Sequence, residues 1–201
     1  LPDYRGGELS GSTLGLVGLG HIGRAVAARA QAFGLRLLGW SYRLIEIPGV
    51  APVSLSQLFA ESDIVSLHVP LKANTRHLID DAALAQMKPG VVLVNTSRGG
   101  LVDTEALIEG LKGKKIGAAG LDVYEEEAAY FYEDTSDRIM DDDVLARLLS
   151  FNNVVMTSHQ GFFTREALDN IAHTTLQNIN DFAVHRELRN EVRAESEKTM
   201  N

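Results

Sequence analysis

The sequence has no cysteine among its 201 residues. Disulfide bonds and thiolate metal sites are therefore excluded, and we predict no metal site. No apolar run approaches the roughly 20 residues that span a bilayer, and no signal peptide opens the chain. These absences indicate a cytoplasmic protein that does not enter a membrane.

Positive charge is also scarce. The chain carries 19 Lys and Arg against 27 Asp and Glu, which gives a formal net charge of −8. A field of this sign repels nucleic acid, and no arm rich in lysine or arginine offsets it. We therefore predict that nucleic acid is not a partner of this protein.

What the sequence does contain is a regular alternation of short apolar runs with helical patterns. Strands are predicted at 13–18, 36–40, 63–68, 91–95, 115–123 and 153–158, and helices at 22–33, 55–60, 82–87, 104–111, 144–149 and after Thr164. Most of the strands lack apolar–polar alternation, which is typical of strands buried on both faces of a parallel sheet. The pattern predicts an α/β fold with a doubly wound parallel sheet of the Rossmann type. The last helix has apolar residues at spacings of three and four, which predicts one packed face.

A glycine-rich loop lies between the first predicted strand and the first predicted helix. Its sequence, GLGHIG from Gly18 to Gly23, matches the dinucleotide-binding pattern G-x-G-x-x-G. In that pattern Gly18 permits a tight turn, Gly20 lets the backbone approach a pyrophosphate, and Gly23 lets helix and strand pack closely. Amides at His21 and Ile22, at the positive end of the helix dipole, would receive the phosphates. The alternative is a tight turn without a ligand.

We assign residues 1–188 to a dinucleotide-binding domain and residues 189–201 to a polar C-terminal tail. The assignment follows from the glycine loop and from the polar, charged composition after Arg186. We find no internal repeat and no low-complexity linker that would divide the first segment further.

Two polar side chains follow later predicted strands. Arg98 lies in NTSRGGLVD, and His159 lies in TSHQGFFT. Ligands of open α/β sheets bind beyond the carboxyl ends of the strands, where an arginine can hold a carboxylate and a histidine can exchange a proton. Taken singly, each has a plainer interpretation, a surface salt bridge for Arg98 and a polar loop residue for His159. The acidic runs 125–127 and 141–143 have a plain interpretation as solvated faces.

The combination of motifs is more specific than any one of them. The stretches GSTLGLVGLGHIG, DIVSLHVPLKANTRHLID, MKPGVVLVNTSRGGLVD, GLDVYEEE and NVVMTSHQGFFTREAL together resemble the D-isomer-specific 2-hydroxyacid dehydrogenases. The resemblance extends over about residues 11–188 and, in FYEDTSDRIMDDDVLARLLSFNNVVMTSHQGFFTREAL, is similar to the fermentative D-lactate dehydrogenase branch. Most relatives have a proline before the histidine and Gly-Gly after it, where this chain has Ser158 and Gln160-Gly161.

The resemblance implies an oxidoreductase that transfers a hydride between NAD(P)H and a 2-oxo acid, pyruvate to D-lactate in the branch named. It implies that Arg98 holds the substrate carboxylate and carbonyl, that His159 delivers the proton, and that Glu127 hydrogen-bonds the imidazole. The glycine pattern, the turn after the second strand and the resemblance together predict the cofactor contacts, which are Gly18, Gly20, His21, Ile22, Gly23, Ser41, Arg43, Val69, Pro70, Asn74, Thr96, Ser97, Arg98, Asp122 and His159.

The choice of cofactor depends on the stretch GWSYR. The resemblance favours NAD, and its lactate branch usually has an Asp at the place of Ser41, where the acid binds the ribose hydroxyls and repels a 2′-phosphate. Ser41 removes that repulsion, and Arg43 can reach a phosphate. We therefore predict NAD, with NADP also possible. The alternative is that Arg43 points to solvent and NAD binds through Ser41 with a weaker ribose contact.

The resemblance also implies parts beyond this chain. The family has a substrate lobe formed mostly by residues before the cofactor domain, and LPDYRGGELSG is similar to the connection between the two. We therefore expect the chain to be the cofactor domain of a longer polypeptide, able to bind cofactor but inactive by itself. A homodimer built through the cofactor domain is implied as well.

Two other functions fit parts of the sequence. Corepressors of the C-terminal-binding-protein type share this fold and site but act as NAD-sensing interaction scaffolds. A Rossmann domain for adenosylmethionine chemistry is the other alternative, and it leaves Arg98, Glu127 and His159 without a role. The motifs around His159 favour the dehydrogenase.

Overall fold

The computed structural model describes residues 7–43, 45–125, 143–184 and 186–192. Contacts between Cα atoms divide the chain into two compact units, Leu1–His159 and Gln160–Asn201. The first unit contains the sheet, and the second contains one long helix. The predicted boundary at residue 188 between the dinucleotide-binding domain and the polar tail stays a prediction.

The described part of the first unit contains a parallel sheet of seven strands. Its strands are β1 (Thr13–Val17), β2 (Arg36–Trp40), β3 (Val50–Pro52), β4 (Ile64–Leu67), β5 (Val91–Asn95), β6 (Ile116–Leu121) and β7 (Val154–Met156). The strand order is β3-β2-β1-β4-β5-β6-β7, and every neighbouring pair is parallel. The predicted doubly wound α/β sheet is confirmed, because the chain moves outward from β1 in one direction and then from β4 in the other.

The helices lie close to their predicted positions. They are α1 (His21–Ala32), α2 (Leu55–Glu61), α3 (Asp81–Gln86), α4 (Thr104–Lys112), α5 (Asp143–Leu149) and α6 (Arg165–Ala183). Side-chain caps fix four of the starts, because Ser54, Asp80, Asp103 and Thr164 each accept a hydrogen bond from an amide of the first turn.

The strand β3 is absent from the prediction. It has three residues, lies at the edge of the sheet, and ends at Pro52. A segment this short shows no periodicity. A proline within it favours the prediction of a loop over that of a strand.

Apolar side chains of the central strands form the core. All five residues of β1 are buried, and Leu16, Val65 and Leu93 have no exposed surface. A central parallel strand is covered by helices on both faces, and so it needs apolar residues at consecutive positions. This explains the uninterrupted apolar runs of the sequence.

The strand order reverses between β1 and β4, and their carboxyl ends lie at the centre of one sheet edge. Backbone hydrogen bonds continue past the strands at this edge. His68 N donates to Val17 O at 2.7 Å, Asp122 N to Asn95 O at 2.9 Å, and His159 N to Asp122 O at 3.0 Å. The loop after β4 therefore starts in register with the end of β1, and the loops after β6 and β7 start in register with the end of β5.

The helix α6 begins as predicted, with the Thr164 hydroxyl accepting a hydrogen bond from Ala167 N at 3.2 Å. Ile171 and Ile179, on the face that is predicted to pack, are 51% and 60% exposed in this chain, and the packing of that face stays a prediction. Periodicity shows which side of a helix is apolar but not whether another segment covers it. Within the described ranges, no helix combines the length and hydropathy that crossing a bilayer requires.

Asp63 links three segments at the opposite, amino-terminal edge of the sheet. Its carboxylate accepts hydrogen bonds from Lys88 Nζ at 2.7 Å and from Thr13 N at 2.8 Å. The lysine, followed by the amide, holds the pKa of Asp63 below its ordinary value of 3.8. A lowered folded-state pKa means that the pairing stabilises the fold above that value and is lost as pH falls through the lowered one.

We predict that Asp63→Asn lowers the free energy of unfolding by up to about 1 kcal/mol at neutral pH, since both partners are partly exposed. The difference from the wild type should shrink below about pH 4. Urea unfolding at several pH values measures both effects. Asp169→Asn, at an exposed position of α6, is the control for the loss of a carboxylate; a constant difference at all pH values contradicts the prediction.

Candidate cofactor and active site

The glycine loop makes two contacts that allow no side chain. Gly18 has φ +104°, and a Cβ there would lie 2.6 Å from the His68 carbonyl oxygen. A Cβ on Gly23 would lie 2.1 Å from the Gly18 carbonyl oxygen. The loop thus needs glycine at both positions because β1, α1 and the end of β4 approach closely there.

Gly20 differs from the other two glycines. It has an ordinary φ of −72° as the N-cap of α1, and a Cβ there would meet no atom within 4 Å. The fold therefore leaves open space where the backbone faces outward. No side chain caps this helix, and His21 and Ile22 are exposed. Uncapped amides at a helix N-terminus beside open space suit a pyrophosphate.

His68 lies directly below the glycine loop, and sequence analysis did not single it out. Its ring Nε2 is 3.0 Å from the Ser66 hydroxyl, and burial lowers the pKa of the imidazole. A largely buried histidine in the middle of an apolar motif gives no sequence signal that separates it from a core residue.

The stretch after β2 lies at the same carboxyl edge of the sheet. Ser41 is partly buried, and its hydroxyl donates a hydrogen bond to the Arg43 carbonyl oxygen. Tyr42 packs edge-on against Trp40, with ring centroids 4.8 Å apart. Arg43 is exposed. Ser41 and Arg43 thus belong to one tight turn that carries a cation and no carboxylate.

The loop after β4 contains three of the predicted contacts. Val69 is buried, while Pro70 and Asn74 are exposed. Thr75 organises the loop, since its buried side chain donates to the Pro70 carbonyl oxygen at 2.7 Å and accepts from Lys72 N at 2.7 Å. This places Asn74 on an ordered turn.

The loop after β5 contains Arg98 and is held by the strand's last residue. Asn95 is 1% exposed; its amide donates to the Arg98 carbonyl oxygen at 2.9 Å and accepts from Ser97 N at 3.1 Å. The Ser97 hydroxyl donates to the Val69 carbonyl oxygen at 2.6 Å, which joins this loop to the previous one. Thr96 and Arg98 are exposed. The Arg98 guanidinium donates a hydrogen bond to the Ser97 carbonyl oxygen at 2.6 Å. The side chain is therefore accessible to a ligand.

Asp122 and His159 are joined across β6 and β7. Besides the backbone bond between them, the Thr157 hydroxyl donates to the Asp122 carboxylate. His159 has φ +48°, in the left-handed region that few non-glycine residues adopt. A turn of this kind directs the histidine away from the line of its strand. Glu127 lies outside the described residues.

The acidic run 125–127 begins with a residue that does not fit its predicted solvated character. The Glu125 side chain is 12% exposed and pairs with Arg76 and His77. Three acids in a row gave no sign that one of them turns inward. The run 141–143 is described only at Asp143, which is exposed in the first turn of α5. Within the described part of the chain, no three His, Cys, Asp or Glu side chains come together as a metal site would require.

Comparison with known proteins identifies the family. The model of the D-isomer specific 2-hydroxyacid dehydrogenase, NAD binding domain, matches residues 2–161. The chain belongs to this family. The dehydrogenase resemblance of the sequence is confirmed, and so is the expectation that the domain binds NAD.

Three relatives show the extent of the likeness. The D-lactate dehydrogenase of Escherichia coli is 47% identical over 90% of this chain and 56% of its own length. A structure of the pyruvate reductase of Chlamydomonas reinhardtii has a TM-score of 0.89 at 40% identity, covering 94% of this chain and 59% of that one. The D-lactate dehydrogenase of Lactobacillus jensenii, solved with NAD+, has a TM-score of 0.87 at 33% identity over 94% and 57%. The chain spans about half the length of the curated relatives it matches.

We predict that Gly20→Ala weakens NADH binding about tenfold or more, or about 1.4 kcal/mol, while it shifts the Tm by no more than about 4 °C. The reason is that the added methyl group meets open space in the fold but occupies the approach to the pyrophosphate. Gly23→Ala is the counterpart, in which the clash with Gly18 O should lower stability by about 1–3 kcal/mol. Fluorescence titration and thermal melts separate the two effects; a Gly20→Ala protein that binds NADH as the wild type does contradicts this assignment.

Proposed function

We propose that this chain is the NAD-binding part of a dehydrogenase that reduces a 2-oxo acid, and that the reaction is the reduction of pyruvate to D-lactate. The observation that carries the proposal is the position of Arg98, Asp122 and His159 in consecutive loops at the carboxyl edge, joined by hydrogen bonds through Asn95 O and Asp122 O. The relatives are D-lactate dehydrogenases and a pyruvate reductase by name, which favours an enzyme over an interaction scaffold.

Arg98 is proposed to bind the substrate. Its guanidinium is exposed at the edge of the sheet, and its loop is fixed by Asn95 and by the bond from Ser97 to Val69. A planar fork of donors suits a carboxylate, and a fixed cation beside the carbonyl stabilises the alkoxide charge that develops on reduction. A rotation of the side chain away from Ser97 O frees its donors for the substrate.

His159 is proposed to deliver the proton to that alkoxide. The backbone bond to Asp122 and the left-handed turn fix its position beside β6. Glu127 follows shortly after Asp122 in the sequence, and we assign it the hydrogen bond that orients the imidazole. When bound, the reduced nicotinamide supplies the hydride, and Asp122 would meet its carboxamide.

The remaining proposed cofactor contacts surround this group. Gly18, Gly20, His21, Ile22 and Gly23 would hold the pyrophosphate at the start of α1, and Ser41 and Arg43 the adenosine ribose. The loop residues Val69, Pro70, Asn74, Thr96 and Ser97 would line the nicotinamide side. The open space at Gly20 and the exposure of most of these residues support the assignment.

We further propose that the site accepts NADP as well as NAD. Ser41 places a neutral hydroxyl where a carboxylate would repel a 2′-phosphate, and Arg43 adds an exposed cation two residues later. The cytoplasmic location, the homodimer and the inactivity of the separate domain are proposals that rest on the family alone.

We predict that His159→Gln in the full-length protein lowers kcat for pyruvate reduction by roughly 10²–10⁴, while the Kd for NADH changes by less than about tenfold, since the other cofactor contacts are kept. Glutamine keeps hydrogen-bonding capacity but does not release a proton near neutral pH. His173→Gln, on the exposed surface of α6, is the matched control. Unchanged turnover in His159→Gln would remove the histidine from the mechanism, and a wild type without activity on any 2-oxo acid would end the proposal.

We predict that Ser41→Asp weakens NADPH binding about tenfold or more, since a carboxylate then faces the 2′-phosphate, and that NADH binding is kept or improved. Arg43→Gln should weaken NADPH alone. Arg36→Gln is the control from the other end of β2, where the arginine pairs with Glu61. Calorimetric titration with both cofactors gives the ratio of the NADPH affinity to the NADH affinity. If neither Ser41→Asp nor Arg43→Gln changes this ratio, Arg43 remains in solvent and does not contact the cofactor.

A further inference from the structure

Glu125 is the centre of a polar cluster formed by three loops. Its carboxylate lies 2.8 Å from Arg76 Nη2 and 2.6 Å from His77 Nε2, and it accepts a hydrogen bond from Thr104 Oγ1 at 3.2 Å. The Asp103 carboxylate lies 3.6 Å from the other nitrogen of the His77 ring. These partners come from the loop before α3 and from the start of α4, while Glu125 follows β6.

The backbones of the same loops are joined as well. His77 N donates to Gly100 O at 2.8 Å, and Ile79 N donates to Leu101 O at 3.0 Å. His77 holds this position with φ +49°, an uncommon backbone conformation for a non-glycine residue. The groups that bind the Glu125 carboxylate are therefore attached to the segment that follows Arg98.

The main chain at Glu125 packs directly against that segment. A Cβ on Gly99, the residue after Arg98, would lie 2.1 Å from the Tyr124 carbonyl group and 2.5 Å from Glu125 N. Gly99 and Gly100 are both buried. The peptide before Glu125 thus forms one wall of the Arg98 loop, and a shift of this peptide would move the wall.

We infer that Glu125 is a positioning residue, which holds the peptide after β6 against Gly99 and so fixes the place from which Arg98 reaches the substrate. This inference rests on the proposed function for its kinetic consequence. A solvent-exposed ion pair stabilises little, but the Glu125 carboxylate is 12% exposed and holds three partners at once. An amide in its place loses the charge that strengthens these hydrogen bonds and one of the two acceptor oxygens. Its partners then lose the group that joins the loops.

Glu125→Gln in the full-length protein tests the inference. We expect kcat/KM for pyruvate to fall about tenfold or more, through a higher KM and a lower kcat. The Kd for NADH should rise by less than this, since the pyrophosphate contacts of the glycine loop lie after β1, away from Glu125. Glu109→Gln is the matched control, because Glu109 forms an exposed ion pair with Lys112 on α4. In a background of Arg98→Lys, Glu125→Gln should change kcat/KM less than about twofold, since the group that it positions is already altered.

Amide hydrogen exchange provides a readout that needs no activity. In Glu125→Gln the amides of residues 99–101 should exchange faster than in the wild type and in Glu109→Gln. If Glu125→Gln does not fold, Arg76→Met takes its place, because Arg76 is 58% exposed and leaves two partners on the carboxylate; a threefold loss of kcat/KM is then expected.

The outcomes are distinct. Unchanged exchange at 99–101 overturns the inference whether or not the protein is an enzyme, and an equal loss of kcat/KM in the wild-type and Arg98→Lys backgrounds overturns it too. A wild-type protein without activity overturns the proposed function. Faster exchange at residues 99–101 in Glu125→Gln would still show that Glu125 holds this segment in place.

Discussion

The approach of the glycine loop to the end of β4 is the contact on which the candidate site depends. Gly18 turns with positive φ over the His68 carbonyl, and Gly23 packs on the Gly18 carbonyl at a distance that excludes a Cβ. This contact sets the start of α1 next to the point where the strand order reverses. Without it, the uncapped amides of α1 would not face the same edge as the loops after β4 and β5.

The second constraint is the continuation of backbone pairing beyond the strands. In a parallel sheet the carboxyl ends are free to diverge, yet here Asp122 and His159 stay in register with Asn95 through two further hydrogen bonds. The polar side chains of three loops are thus fixed by main-chain geometry and only secondarily by their own contacts. A chemistry that needs an arginine and a histidine at a set spacing benefits from such a support, because the strands are the rigid part of the fold.

The sequence predicts those parts of the structure that leave a periodic or topological signal. Apolar runs without alternation indicate parallel strands, and residues directly after them must lie at one edge, which is why Arg98 and His159 could be placed from the sequence. The strand β3 and the Glu125 cluster leave no such signal. A three-residue edge strand has no period, and the identity of an acidic residue does not show whether its side chain turns inward. The conformation of His77 depends on partners far away in the sequence.

The chemistry at Ser41 shows where this limit has a consequence for function. The identity of the residue follows from the sequence, and its place after β2 follows from the fold, so the absence of a carboxylate at that turn is well defined. The cofactor that this turn favours depends on two opposed effects of Ser41. The ribose loses its contact to a carboxylate, and a 2′-phosphate is no longer repelled. Because Ser41 donates its hydroxyl to the Arg43 carbonyl, the two residues belong to one turn, and the backbone of Arg43 lies close to the place from which the acid is missing. This arrangement is the basis of the proposal that the site accepts either cofactor.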